Sequence, residues 1–223
     1  MDGANERVKR AGEHLLDLKQ RVNILRQEKF KRVVIKTQRI RLRPPLGDEW
    51  AYVRVIEIPP SHQPMMISIL VGEIIYNMRA ALDYLVYELA CFDTKKIIEK
   101  TQFLIEDTPE GFLRHAKRCL NGLNPRHLTA IENLQPFKGC DWTERLRDIS
   151  NPDKHMRLIM VDCPVRHASQ ISGAEAVATE QSMNMNDIAA IEIVFRDGMP
   201  IIETLEQLKL KVAKTLRDFN SEF

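Results

Sequence analysis

Arg79 and Asp83 stand four residues apart in the stretch Met65 to Phe92, MMISILVGEIIYNMRAALDYLVYELACF. In a helix this spacing sets a guanidinium beside a carboxylate on successive turns. Two chemistries fit it. One is an intrahelical ion pair, which contributes about 0.3–0.5 kcal/mol when exposed. The other is a polar seam in which Arg79 and Asp83 hold a ligand or a reacting group, with Glu73, Asn77 and Tyr84 as ligand-binding residues on the same side. A solvated helix face is normally filled with Lys, Glu and Gln. Here Glu73, Tyr76, Asn77, Ala80, Asp83, Tyr84 and Tyr87 mix small, aromatic and short hydrogen-bonding groups, as a second buried contact would.

A second group of candidates follows much later, at Asn151-Pro152-Asp153-Lys154-His155. Asn151 reads as an N-cap and Pro152 as the first residue of a fresh helix, with Asp153 suiting its positive end. If helicity instead persists through Pro152, Asp148, Asn151 and His155 share one face. Either way Asn151 and Lys154 are candidate ligand-binding residues. Metal chemistry has no comparable support. Cys91, Cys119, Cys140 and Cys163 lie more than 20 residues apart with no C-x-x-C pair, and the six histidines form no H-E-x-x-H. We expect free thiols, no metal and no cofactor.

These residues need elements to place them. On the other side of the 65–92 stretch, Leu70, Val71, Ile74, Met78, Ala81, Leu82, Leu85 and Leu89 recur at about 100° per residue, which predicts a central helix covered on both sides. Val8, Ala11, Leu15, Leu18, Val22 and Leu25 predict a first helix from Asn5 to about Lys29, and Leu205, Leu208, Leu210, Val212 and Leu216 a closing one from Ile201 to Phe219. Asp107 or Thr108 caps a helix with Pro109 in its first turn, and Pro125 opens another. Between Arg32 and Arg43 the period drops to two, so a strand is expected there. The turn Pro44 to Asp48 returns it along Glu49 to Ile58, and further extended segments fall at Gln170 to Ala178 and Asp187 to Arg196. The expected fold is one α+β domain over residues 1–223: a helical bundle around a central two-faced helix, carrying an antiparallel sheet from the N-terminal hairpin and C-terminal strands.

The chain is long enough for a sizeable core. Lys and Arg (33) nearly balance Asp and Glu (31), so nucleic-acid binding requires a local patch. One is present: seven Lys or Arg and no acid lie between Lys29 and Arg43. Arg39, Arg41 and Arg43 on one strand face fit either a charged, solvated sheet edge or phosphate contact. Apolar runs shorter than a membrane span and an N-terminus without an apolar signal core lead us to expect a cytoplasmic protein with no membrane partner.

The segments Gly72-Glu73, Asn77-Met78-Arg79-Ala80-Ala81-Leu82-Asp83, Thr101-Gln102-Phe103, Gly122-Leu123, Gln135-Pro136-Phe137 and Asn151 to His155 together resemble a family of functionally uncharacterised bacterial proteins. In that family the central helix reads roughly G-D-x-x-H-N-L-R-S-A-L-D-H and a later one N-x-D-K-H-R. The central motif is more remotely similar to that of HEPN-type domains, whose Arg and His polarise a phosphodiester. That resemblance implies Asn77 and Arg79 as matching positions, but Tyr84 stands at the histidine, Tyr76 at the family's first histidine and Met156 at the later Arg. Metal-independent RNA cleavage needs a base and a cation, and the imidazole best placed to supply the base is His155. Two functions therefore stand side by side. One is a non-catalytic or degenerate binding or interaction protein with a buried polar seam. The other is a HEPN-like endoribonuclease or nucleotide-processing protein of a defence or toxin type, with Arg79, Asp83 and His155 catalytic. The expected partners are RNA or single-stranded nucleic acid on the basic hairpin, and a second copy of the chain in a homodimer.

Overall fold

Helix α1 (Asp2–Phe30) and helix α2 (Met65–Thr94) form the longest contact in the molecule, running antiparallel so that Gly3 meets Tyr84 and His14 meets Glu73. The structure, a computed structural model, describes residues 1–25, 27, 65–150, 193–195 and 197–221 with their side chains. It describes 26, 28–30, 34–41, 50–57, 151–155 and 170–171 by backbone alone. After α2 come α3 (Pro109–Cys119), α4 (Pro125–Glu132), a 3-10 turn (Pro136–Lys138), α5 (Asp141–His155) and α6 (Ile201–Asn220). α1, α5 and α6 all pack on α2.

Burial follows the period of the sequence. Every residue of the expected α2 stripe is buried, together with Ile67, Ile75, Val86 and Ala90. At about 25 cal/mol per Å² of apolar surface removed from water, a stripe of this kind is the main stabilising term of the bundle. By length and composition α2 would also cross a membrane, at a mean hydropathy of 1.4, but 67% of that window is buried inside the protein. α1 contributes Ala4, Ala11, Leu15, Leu18, Val22 and Leu25, and α6 contributes Leu205, Leu208, Val212 and Leu216. Leu210, expected in that stripe, is exposed.

The short helices begin where their caps dictate. The Thr108 hydroxyl accepts from the backbone N–H of Gly111 at 3.1 Å ahead of Pro109, and the Asn124 side chain accepts from that of His127 at 2.9 Å ahead of Pro125. Between them the chain turns at Gly122 (φ 88), where an added Cβ would sit 3.0 Å from the Thr94 side chain. That turn lays the α3–α4 corner against the end of α2.

Three expectations are corrected. The α+β assignment is overturned: the part described with side chains is 76% helical and contains no strand, so the packed body is all-helical. Backbone pairing does join Val34–Arg41 to Trp50–Glu57 and the latter to Gln170–Ile171, all antiparallel. The packed body described with side chains contains no part of this ribbon, so the sheet layer expected of an α+β domain is not found in it. In the second correction, Val194 makes only an isolated bridge to Pro200 within the segment read as a C-terminal strand. Local alternation of side chains reports extended backbone, but it does not say whether that backbone becomes a layer of the core. Thirdly, Asn151 does not open a fresh helix, because α5 runs unbroken through Pro152 to His155. The turn at Pro44 to Asp48 and the segments 172–178 and 187–192 lie outside the described residues, as does Met156.

Candidate functional site

Helix α2 divides its polar residues between two neighbours. Towards α1, the Asn77 Oδ1 accepts from Arg7 Nη1 at 3.3 Å while its Nδ2 donates to the Glu73 carbonyl at 2.8 Å. The Arg7 guanidinium lies over the rings of Tyr76 and Tyr84, at 5.8 and 5.6 Å from their centroids, a cation–π arrangement. Tyr84 also lies against Gly3, where an added Cβ would come within 3.0 Å of the ring. His14 Nδ1 is 3.5 Å from Glu73, and the terminal amine pairs with Glu88. Glu73, Asn77 and Tyr84, expected to bind a ligand, thus border the α1–α2 contact.

Arg79 and Asp83 face the other way, onto the connector between α2 and α3. Nη2 of Arg79 donates to the Phe103 carbonyl at 3.3 Å, and Oδ1 of Asp83 accepts from the Phe103 N–H at 2.9 Å. One helical turn therefore engages both backbone polar groups of one residue, which the connector, having no ladder partner, would otherwise leave unsatisfied in the core. Phe103 itself is fully buried. Arg79 is 7% exposed, and its Nε and Nη1 make no hydrogen bond. Burial pushes the guanidinium pKa below the ordinary arginine value, with the charge of Asp83 opposing the shift.

Gln135 completes the brace from the far side. Its side chain, 0% exposed, donates to the carbonyls of Leu104 and Ile131 at 3.0 Å each and accepts from the N–H of Glu106 at 2.9 Å. The N–H of Gln102 donates to the Cys119 carbonyl at 2.9 Å. The segments Thr101-Gln102-Phe103 and Gln135-Pro136-Phe137, separate in the sequence, are two halves of one hydrogen-bonded assembly with Arg79 and Asp83.

Not all the proposed residues can be placed with them. α5 packs on α2, and the backbone of Asn151, Lys154 and His155 continues that helix, but their side chains lie outside the described residues. Arg39 and Arg41 pair with Tyr52 and Trp50 along the ribbon backbone, their side chains likewise outside it, and Arg43 lies outside altogether. Among the described residues no three His, Cys, Asp or Glu side chains group to hold a metal, and Cys91, Cys119 and Cys140 are free thiols.

A buried dyad went unread in the sequence. Asp93 at the end of α2 lies 2.7 Å from His127 Nδ1, their side chains 5% and 4% exposed, and the same carboxylate accepts from Asn124 N and Nδ2, each at 2.8 Å. The His127 ring packs at 6.4 Å from that of Phe219 in α6. A separation of 34 residues gives no local signal; Pro125 marked only the start of the helix on which His127 lies. The set fastens the α3–α4 corner to α2 and α6.

Comparison of the chain with protein-family models, with curated proteins and with solved structures finds no match.

Proposed function

We propose that the protein is a non-catalytic binding protein in which the polar residues of α2 serve the fold. The observation that carries this reading is the double engagement of Phe103. Arg79 and Asp83, the pair best suited to stabilise and assist a phosphodiester reaction, direct their hydrogen bonds to its backbone, Arg79 from a position almost closed to solvent and Asp83 from a half-buried one. Tyr84, at the position where the resemblance to HEPN-type domains calls for an imidazole, packs on Gly3 and Arg7 instead. The second reading, a HEPN-like metal-independent endoribonuclease, is favoured by one feature: Arg79 keeps two nitrogens, Nε and Nη1, without a hydrogen-bond partner, as a cation awaiting a phosphorane would.

Labelled single-stranded RNA in chelator separates the two. The wild-type protein and Tyr84→His are both expected to leave it intact. General acid–base assistance is typically worth about 100- to 10,000-fold, so restored chemistry would stand clear of background. Cleavage by Tyr84→His that disappears on adding Arg79→Ala would establish the nuclease reading, as would wild-type cleavage that is lost in His155→Ala.

A further inference from the structure

We infer that the end of the bundle formed by the α2–α3 connector and α3 is a docking surface for a nucleic-acid backbone, which gives the binding reading above its partner and rests on it. Residues 94–131 carry seven Lys or Arg and four acids, Glu99, Glu106, Asp107 and Glu110, of which Glu106 is engaged by His115 and Asp107 by Arg147. The segments 94–105 and 111–131 are neighbours in space. Gln102 bonds to the carbonyl of Cys119, and Gly122 lies against Thr94 and Ile98. Lys96, Lys100, Arg114, Lys117 and Arg118 are exposed, and none forms an ion pair among the described residues. Elsewhere on this body several exposed cations are paired, Lys9 with Glu6, Arg10 with Glu13, Arg21 with Asp17 and Lys214 with Asp218, whereas Lys211 and Arg217 on α6 stand without an ion pair among the described residues. Glu110 stands four residues before Arg114 without reaching ion-pair distance, so even the available acid is not used.

Backbone geometry adds an independent mark. The connector passes through the left-handed region at Lys95 (φ 56) and again at Lys100 (φ 64), where glycine or asparagine costs least and a long side chain costs about 1 kcal/mol or more. Lysine at both turns fits a need for the charge. On α3, Arg114, Lys117 and Arg118 fall at i, i+3 and i+4, so they share one solvent face with successive cations about 5–6 Å apart at Cβ. A nucleic-acid backbone presents regularly repeating negative charge that such a row can follow. An acidic protein would be the other polyanion, but stable protein interfaces need an apolar centre depleted in charge. This track offers mainly cations, with two large apolar side chains exposed among them, Ile97 on the connector and Leu113 on α3.

The test is fluorescence anisotropy with a labelled oligouridylate and the full-length chain, titrated with salt. The variants are Lys100, Arg114, Lys117 and Arg118 changed together to Ser, and Arg39, Arg41 and Arg43 changed together to Ser. Because the first four side chains are exposed, the melting temperature of that variant is expected to match the wild type. With about 0.7 of slope lost per phosphate contact on a single strand, its plot of log affinity against log salt is expected to flatten by about 3, with binding at low salt weakened at least about tenfold. Binding unchanged in this variant but lost in the Arg39, Arg41 and Arg43 variant would overturn the surface and leave nucleic-acid binding standing, on the ribbon. Wild-type protein that ignores the oligouridylate at low salt but binds polyglutamate would overturn the nucleic-acid partner and leave the binding reading standing. Binding of neither polyanion overturns this inference.

Discussion

Asp83→Ala is expected to lower the unfolding free energy by about 2–4 kcal/mol, as read by urea titration. The change removes the acceptor for the Phe103 N–H and the carboxylate whose charge favours the buried Arg79 guanidinium. Removing one member of a buried charged pair is costly because the other stays behind uncompensated. Asp83 is half-buried rather than sealed, which keeps the expected loss below the top of the range for such pairs. The companion change Arg79→Met is milder and lies within about 1 kcal/mol of the wild type. Methionine forfeits the bond to the Phe103 carbonyl, but it also removes two buried nitrogens, Nε and Nη1, that have no partner, each of which costs about 1–3 kcal/mol. The order, with the acid mattering more than the base, is the signature of a fold clasp in which the guanidinium is under-satisfied. Equal and negligible effects of both changes would place the pair outside the core.

The second large effect is expected at the far end of α2. Asp93→Ala leaves Asn124 N, Asn124 Nδ2 and His127 Nδ1 without the acceptor they share, in a setting where the side chains of Asp93 and His127 are at most 5% exposed. A loss of about 3 kcal/mol follows, since each buried donor left unpaired forfeits more than a hydrogen bond contributes net. Asp93→Asn, which retains an acceptor oxygen, recovers about half. The damage extends beyond the α3–α4 corner because His127 packs on Phe219, so α6 loosens as well. Thermal melts check the magnitude, and amide exchange at the end of α6 checks the reach. Asp93→Ala with wild-type stability would show that water satisfies these donors.

What the sequence disclosed and what it withheld divide by range. The α2 stripe, a cap at Asp107 or Thr108, the helix start at Pro125 and the core positions of α1 from Ala11 to Leu25 are set by residues within one or two turns of each other and were legible, whereas the Asn124 cap and Ala4 were not read. Tyr84 and Asn77 were read as part of a second buried contact; Asn77 is buried beside α1, but Tyr76, Tyr84 and Tyr87 are 57%, 40% and 38% exposed, so α1 covers that face only in part. The role of Arg79 and Asp83 was not legible: their spacing pointed to an intrahelical ion pair or a ligand seam, whereas the partner of both is a backbone segment twenty residues on. Likewise Gln135 stood in a motif without a stated reason, because its partners, Leu104 and Glu106, are about 30 residues away. Alternation at Arg39 to Leu42 was taken as evidence for a strand of an antiparallel sheet carried by the bundle, but alternation fixes backbone state and not packing. Pro152 was read as a helix start because proline favours that position, while the surrounding helix carries it through.

Amide hydrogen exchange at Phe103 tests the central claim most directly, that Arg79 and Asp83 are engaged in holding the connector to α2. In the wild-type protein this N–H is expected to exchange only with global unfolding, as core helix amides do, and in Asp83→Ala to exchange orders of magnitude faster under conditions where the protein remains folded. A Phe103 amide that already exchanges in the wild type as fast as its exposed neighbours on the connector would contradict the claim and return Arg79 and Asp83 to the candidate reactive groups.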